Sequence, residues 1–564
     1  MQLTFSKGGI QMINQSHKWG VLLACTALTG TLLAACGDSQ PQSKTADPKT
    51  GGAPAAQGDA KPAARGSATV ALYDRGRVPA EEGTMDKNRW TEWVNKNGPT
   101  DVKYVLIPRN DSVTKYNTLF AAGDVPDVIN EYDTAYRDLL YQQKQLLPLD
   151  DLIDKYAPNY KKLLADYPQL RKAGTKPDGK LYEIGRLQGT MSMYSLIIRE
   201  DWLKKLNLQV PQTPEELLKV AKAFTEQDPD GDGKKNTYGI SLAADTGMAI
   251  SKMFGDAGWV VKDGKLTYDW DRAKASNEFK KKLFDEGVAD KDYLTDKNGE
   301  KAKQDWLSGK LGIYAMQHSQ QLNPGLNNYQ TLKKNVPAAE ILPIPLPKTQ
   351  FGQFSMNFLN PAQMTTVVYR GAKDPVAAIK YIDFMATKET ASMMKYGMEG
   401  VHWKTGANNC PVPIDVEKNK KELIYVPDLA MQTSPDLVGP CNKTESSFDP
   451  QIPDQKAYLD FIQKARAAYE KPERPIPDLT LSEHMPTLPS DLAKTSADLN
   501  LQITGIWAKS VVSGAAYPID KAFADAKGVW EKGGGKQLED WYAKWYAENK
   551  DKAFLSQDIY KFLN

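Results

Sequence analysis

Short runs of apolar residues, separated by polar helical stretches, set the rhythm of the chain after residue 66. SATVALYD (67–74) and DVKYVLIP (101–108) are rich in strand-forming residues and predict two strands. Val125 to Ile129 predicts a short buried third strand ending in polar residues. MDKNRWTEWVNK (85–96) and the stretch 112–122 predict helices between them. Strand, helix, strand, helix, strand is the signature of a parallel sheet. Ligands of such sheets sit beyond the carboxyl ends of the strands. That rule places Tyr73, Asp74 and Arg75, then Asn110, then Glu131, Tyr132 and Asp133 along one rim.

The pattern continues as a second α/β unit. KPDGKLYEIG (176–185) predicts a hairpin turning on Asp-Gly, and SLIIRE (195–200) predicts a strand running into the helix DWLKKLNL. Thr213 as N-cap, Pro214 at the first helical position and Glu216 completing a capping box announce the next helix. TYGISLA (237–243), KLGIYAM (310–316), EILPIPLP (340–347) and QMTTVVYR (363–370) predict strands. Asp263-Gly264 marks another hairpin, DRAKASNEFKKKLFDEG a helix closed by Gly287, and Asp374-Pro375 the start of a further helix. From about residue 410 Pro-rich connections alternate with helical stretches, and no internal repeat is evident.

The N-terminus reads differently. Lys18 precedes an uncharged 17-residue run, WGVLLACTALTGTLLAA, that ends at Cys36-Gly37-Asp38-Ser39. A charged start, an apolar middle and a small-residue exit make a secretory signal, too short and too poorly flanked for a membrane span. Lys7-Gly8-Gly9 would be encoded by purine-rich codons at ribosome-binding distance from Met12, so translation is expected to start at Met12. Residues 37–66 are rich in Pro, Gly, Ala, Gln and Lys, without an aromatic residue, and are expected to form a disordered tether.

Composition adds exclusions. With 72 basic and 70 acidic residues the net charge is +2, so bulk charge gives no reason to expect nucleic acid as a partner. Twelve Trp and 26 Tyr against 15 Phe favour rings with a polar handle. His318, His402 and His484 lie far apart, and HExxH, CxxC and GxSxG are all missing. GTKPDGKL (174–181) has phosphate-loop spacing but ends in Leu181, where a magnesium-binding hydroxyl is required. Glu131 and Asp133 could serve as a glycosidase acid pair or bind sugar hydroxyls. Cys410 and Cys441 can pair outside the cytoplasm, or remain two buried thiols.

DPDGDGKKNTYG (228–239) has the aspartate spacing of a calcium loop. Asp228, Asp230 and Asp232 take the first, third and fifth positions, Lys234 offers its carbonyl at the seventh, and Asn236 its side chain at the ninth. Gly239 stands where the closing glutamate belongs, leaving water or the Thr237 hydroxyl to fill the shell. A strand follows the loop in place of a second helix, which argues for a structural fastener and against a sensor.

Leu33-Ala34-Ala35-Cys36 resembles the lipobox of bacterial lipoproteins, whose cysteine is acylated. With AAGDVPDVI (121–129), LLPLDDLI (146–153), KLYEIG (180–185), the stretch 195–224, SGKLGIYAM (308–316) and YGMEGVHWK (396–404), the chain resembles the solute-binding lipoproteins of bacterial ABC sugar importers. The likeness is to the large oligosaccharide-binding kind related to maltose-binding protein, including the alginate-binding members with a structural calcium loop. It implies a periplasmic-binding-protein-like α/β fold. Lobe 1 would comprise 67–198 and about 370–440, lobe 2 199–369, and a mostly helical C-terminal region would follow from about 441. The crossings between lobes are expected near Ile197–Glu200 and Thr366–Arg370.

The implied function is capture of an oligosaccharide and its delivery to an ABC permease. The protein would be a monomer on the extracellular face of the cell membrane, acylated at Cys36 (a palmitate-type anchor), with bound Ca2+ and no enzymatic activity. By the strand-end rule and by similarity to family positions, the ligand would meet Tyr73, Arg75, Glu131, Tyr132, Asp133, Arg199, Trp259, Gln317 and Trp403. Met191 and Met193 either line the cleft or face the core. The alternatives are a lipoprotein glycoside hydrolase, or a binding protein for a peptide or a sensory ligand.

Overall fold

The computed structural model describes residues 65–318, 324–406 and 408–563. The expectations for Met12, the leader, Cys36 and the tether up to residue 64 lie outside the described residues. Strand β1 (Ser67–Asp74) pairs in parallel with β2 (Asp101–Pro108), from Ser67↔Asp101 to Asp74↔Pro108. β3 (Val128–Asn130) runs parallel on the other side of β1. Val70 and Leu72 on one face of β1, and Ala71 and Tyr73 on the other, are all fully buried. That is why its sequence is a nearly continuous apolar run. The first crossover helix is Arg89–Asn97, starting later than predicted because Asn88 caps it, its side chain accepting from the N–H groups of Trp90 and Thr91.

Eight more strands complete the main sheets and a hairpin: β4 (Glu183–Leu187), β5 (Tyr194–Arg199), β6 (Tyr238–Ile240), β7 (Trp259–Lys262), β8 (Lys265–Tyr268), β9 (Leu311–Gln317), β10 (Ile341–Ile344) and β11 (Ala362–Val368). The first sheet has the order β2-β1-β3-β11-β4, and β11 is antiparallel to both its neighbours. The second has the order β10-β5-β9-β6. The β7–β8 hairpin turns on Asp263 at φ 49° and Gly264 at φ 74°, the two left-handed positions that Asp-Gly supplies.

The predicted boundaries at 198/199 and 369/370 would give β5 to the first sheet and β11 to the second. Pairing does the reverse. The chain leaves the first sheet after Leu187 and re-enters it at Ala362, so the crossings fall at 188–193 and 345–361. Ile197, Ile198, Thr366, Val367 and Val368 are fully buried, which suits interior strands and not hinge segments. The crossings are laddered to each other. Gln188 N–H donates to Pro361 O at 3.1 Å, Leu359 N–H to Met191 O at 2.9 Å, and Met193 N–H to Asn357 O at 2.9 Å.

After residue 441 the chain is mostly helical, with Pro453–Tyr469, Ser490–Val512, Ile519–Lys532 and Gly535–Asn549 as its longer helices. The Tyr469 hydroxyl accepts from Leu196 N–H at 2.9 Å and donates to Ile344 O at 2.6 Å, pinning its helix to β5 and β10. The tail returns to the first lobe, where Phe562 stacks on Tyr167 with centroids 6.0 Å apart and Asp558 pairs with Lys172 at 2.8 Å. This region therefore braces both sheets.

Candidate functional site

The parallel strands β1, β2 and β3 end at one edge, and a polar cluster stands there. The Tyr73 hydroxyl donates to Glu131 Oε1 at 2.7 Å and accepts from Tyr132 N–H at 3.3 Å. Burial and the adjacent Glu131 carboxylate push the Tyr73 phenol far above its ordinary range, so it stays a donor. Tyr132 stacks on Tyr73 with centroids 5.7 Å apart, and Arg109 lies over both rings at 4.9 Å and 5.2 Å. Glu131 is fully buried, yet its Oε2 has no hydrogen-bond donor, nor has Arg109 Nε an acceptor. Arg109, Glu131 and Tyr132, together with Asn110, Asp111, Ser112 and Asp133, line a cavity of about 440 Å³. A buried polar atom without a partner is open to a further hydrogen bond, whether from water, an ion or a ligand.

Polar contacts run on from Tyr132. Arg186 reaches the Tyr132 hydroxyl at 3.5 Å and donates to Gln363 Oε1 from Nε and a terminal nitrogen, at 3.2 and 2.9 Å. Gln188 Nε2 shares that acceptor at 3.0 Å, and its carbonyl accepts from Asn442 Nδ2 at 2.9 Å. Asn442 Oδ1 accepts from Lys395 at 2.5 Å, and burial pushes that ammonium down to about 8. Lys395 stands 5.2 Å from the Tyr396 ring, which meets Trp403 edge-on at 6.4 Å. Trp403 is half-buried, and its indole N–H donates to Gly397 O at 3.0 Å.

Cys410 and Cys441 form a disulfide, with Cα atoms 5.4 Å apart and a sequence separation of 31. The bridged segment lies against the strand ends. Its Asp428 takes both contacts from Arg75 Nε, at 2.9 and 2.7 Å, and its Gln432 is bonded to Thr366 at 3.2 Å.

The strand-end rule brings Tyr73, Glu131 and Tyr132 together, with Arg75 beside them. Asp133 is placed there too, but its carboxylate caps the helix Thr134–Gln142, accepting from Ala135 and Tyr136. Three choices lie elsewhere. Arg199, the last residue of β5 and the N-cap of the helix Glu200–Lys205, is buried against Asp201 at 2.6 Å and over Trp202 at 4.4 Å. Trp259 packs 4.3 Å from Tyr542 and 5.5 Å from Tyr268, under the C-terminal helices. Gln317 ends β9 opposite Tyr194 in the second sheet. Nearby Asp245 is pushed up by burial, and its charge reaches Tyr194 and Tyr314. Met191 is buried and Met193 half-buried in the first crossing.

Sequence reasoning missed Arg109, Arg186, Gln363, Lys395 and Asn442. Arg109 had a usable signal, since it directly follows β2. Arg186 and Gln363 had none, because β4 and β11 enter the first sheet from distant parts of the chain.

The 228–239 loop gathers carboxylate oxygens of Asp228, Asp230 and Asp232 within 4.8 Å of one another. Gly231 at φ 79° and Gly233 at φ 76° permit the turn. Burial and the neighbouring Asp228 push Asp230 up, whereas hydrogen bonds hold Asp228 and Asp232 down and Lys234 pairs with Asp232 at 3.4 Å. The gathered carboxylates fit a hard divalent cation. Thr237 does not contribute: its hydroxyl is buried and donates to Phe224 O at 2.9 Å.

Residues 81–392 match the family described as bacterial extracellular solute-binding protein, more than half of the chain, and the chain belongs to that family. The polygalacturonan/rhamnogalacturonan-binding protein YtcQ of Bacillus subtilis is 28% identical over 405 residues, covering 69% of this chain and 75% of that one. The fructooligosaccharide ABC transporter substrate-binding protein FusA of Streptococcus pneumoniae is 32% identical over 234 residues, 36% of this chain and 42% of its own. Among solved structures, an HMO-binding, ABC-transporter-associated solute-binding protein of Bifidobacterium longum infantis superposes with a TM-score of 0.63 at 20% identity, covering 86% of this chain and 99% of that one. The alginate-binding protein AlgQ2, solved without calcium ion, gives 0.56 at 20% identity, over 86% and 98% of the two chains. Those two structural likenesses establish the fold.

Proposed function

We propose that this protein captures an oligosaccharide outside the cell and delivers it to an ABC permease, as a monomer acylated at Cys36. The observation that carries the reading is the strand-end cluster. Half-exposed Tyr132 offers a ring backed by the buried Tyr73, Arg109 and Arg186 offer positive charge and donors, and Glu131 keeps a buried acceptor unsatisfied. Sugars present flat C–H faces and hydroxyls that donate and accept, and they need this combination of partners. The names of YtcQ and FusA, one for pectic polymers and one for fructooligosaccharides, support a saccharide ligand.

Asp228, Asp230 and Asp232, with the Lys234 carbonyl and Asn236, hold Ca2+ as a fixed brace within the second lobe. The alginate-binding neighbour, described by its lack of calcium, supports such a site. The first lobe is built on β2-β1-β3-β11-β4 and the second on β10-β5-β9-β6, hinged at the laddered crossings. The protein binds without turning over its ligand.

Thermal shift and tryptophan fluorescence against a glycan panel, with reducing-sugar release measured alongside, test this. Saturable binding without release is expected. Release from an oligosaccharide would favour a hydrolase, and retention of no glycan would overturn the reading.

A further inference from the structure

Most buried cations of this molecule face a carboxylate: Arg137 meets Glu183, Arg199 meets Asp201, and Lys252 meets Asp478. Three cations along the candidate cleft do not. Arg109 has no carboxylate within ion-pair distance among the described residues, and its buried Nε has no acceptor. Arg186 donates only to neutral oxygens, those of Gln363, Ala430 and Tyr132. Its guanidinium carbon lies 6.0 Å from the Tyr132 ring centroid, so Arg109 and Arg186 both attend one tyrosine. Lys395 donates to the neutral Asn442 Oδ1 and forms no ion pair, although the charge of nearby Asp436 partly offsets its own.

The acids near this line are engaged. Asp428 takes Arg75, Asp133 caps a helix, Asp436 accepts from Asn442 Nδ2 at 3.4 Å, and Glu131 Oε1 accepts from Tyr73 and from Asp133 N–H. Glu131 Oε2 is the buried acceptor left open for a ligand hydroxyl, while Asp111, which lines the same cavity, stays exposed to solvent.

We infer that this cleft selects oligosaccharides bearing carboxylates, hexuronate units, over neutral ones. The inference rests on the reading of the protein as a glycan receptor. Arg186 is held in place by neutral acceptors, so its fork is oriented while its charge stays uncompensated. Those acceptors take four of its five N–H groups, so Arg186 offers mainly charge, while Arg109, which donates to no acceptor among the described residues, offers the open fork from which a planar carboxylate, unlike a hydroxyl, takes two parallel N–H bonds. A neutral ligand would also leave these cations unpaired as water is excluded, where an unmatched charge is costly. Sulfate esters share the charge but not the planarity.

Titration calorimetry of the full chain tests this with size-matched oligogalacturonides, their methyl esters, a sulfated oligosaccharide and a neutral glucan. The acid is expected to bind about tenfold or more tighter than its methyl ester, with the gap narrowing as salt rises. Arg186→Gln and Lys395→Gln, each checked for an unchanged melting temperature, are expected to shrink the acid-to-ester ratio. Arg109→Gln provides an independent variant should either fail to fold. Equal or tighter binding of the ester or the glucan overturns the charge preference and leaves the receptor reading standing. Preference for the sulfated ligand overturns the carboxylate assignment. Binding of none overturns both.

Discussion

The phenol of Tyr73 donates to one oxygen of the buried Glu131 at 2.7 Å, while the other oxygen has no donor. Tyr73 thus fixes the carboxylate and leaves its second oxygen open. Glu131→Gln should lower ligand affinity by about tenfold or more, since the accepting charge is gone. Tyr73→Phe should cost about 1–3 kcal/mol of stability through the lost donor to a buried carboxylate. Urea unfolding and calorimetry separate the two effects.

Trp403 and Arg199 should behave oppositely. Trp403→Ala is expected to reduce affinity by about tenfold or more with little change in melting temperature, because its half-exposed ring is free to serve as a platform. Arg199→Ala is expected to destabilise by about 3 kcal/mol while sparing affinity, since it strands Asp201 and uncovers Trp202. Loss of binding with intact folding for Arg199→Ala would return that residue to the site.

Calcium should raise the melting temperature by about 2–5 °C and EGTA should reverse the rise. Asp230→Asn should weaken this response. Asp230 is pushed up in the fold, so its protonated form is favoured there. In the metal-free protein this group alone loses a little stability as pH rises through its folded value, while Asp228 and Asp232, both held down, contribute with the opposite sign. A melting temperature indifferent to calcium at every pH would dismiss the site.

His318 gives a pH dependence opposite in sign to that of Asp230. Burial pushes it down to about 4, so the unfolded chain takes up its proton first. Stability should be full above about pH 6.5 and decline as pH falls from there through 4, by at most about 3 kcal/mol from this group. His318→Asn should flatten that part of the stability curve measured by denaturant unfolding.

Reduction of the Cys410–Cys441 bridge should cost about 3–4 kcal/mol on the chain-entropy account of a loop this long. Because the bridged segment holds Arg75 through Asp428, ligand affinity should fall as well. Paired serine substitutions measured by calorimetry and thermal melts check both.

Much of the first lobe was legible because β1 and β2 are apolar runs with clear ends, and Tyr73, Glu131 and Tyr132 follow from where such strands stop. The Asp263-Gly264 turn and the Thr213 cap were equally local signals, and both are present. What escaped is non-local. Nothing near Arg186 or Gln363 announces that β4 and β11 lie side by side. Arg199 and Trp259 come from similarity to family positions; Arg199 is buried against Asp201, and the half-buried Trp259 packs on Tyr542. Asp133 has the right place but spends its carboxylate on a helix end.

The paired crossings at 188–193 and 357–361 form a two-stranded ribbon, with Glu470 accepting from Ser192 N–H at 2.9 Å and Asn442 holding Gln188. Any swing of one half against the other must therefore wind or unwind that ribbon as a single torsion spring. Glu470, which ends the helix Pro453–Tyr469, and the side chain steadying Lys395 are attached to the coil itself, so strain at the grip and strain at the pivot travel together.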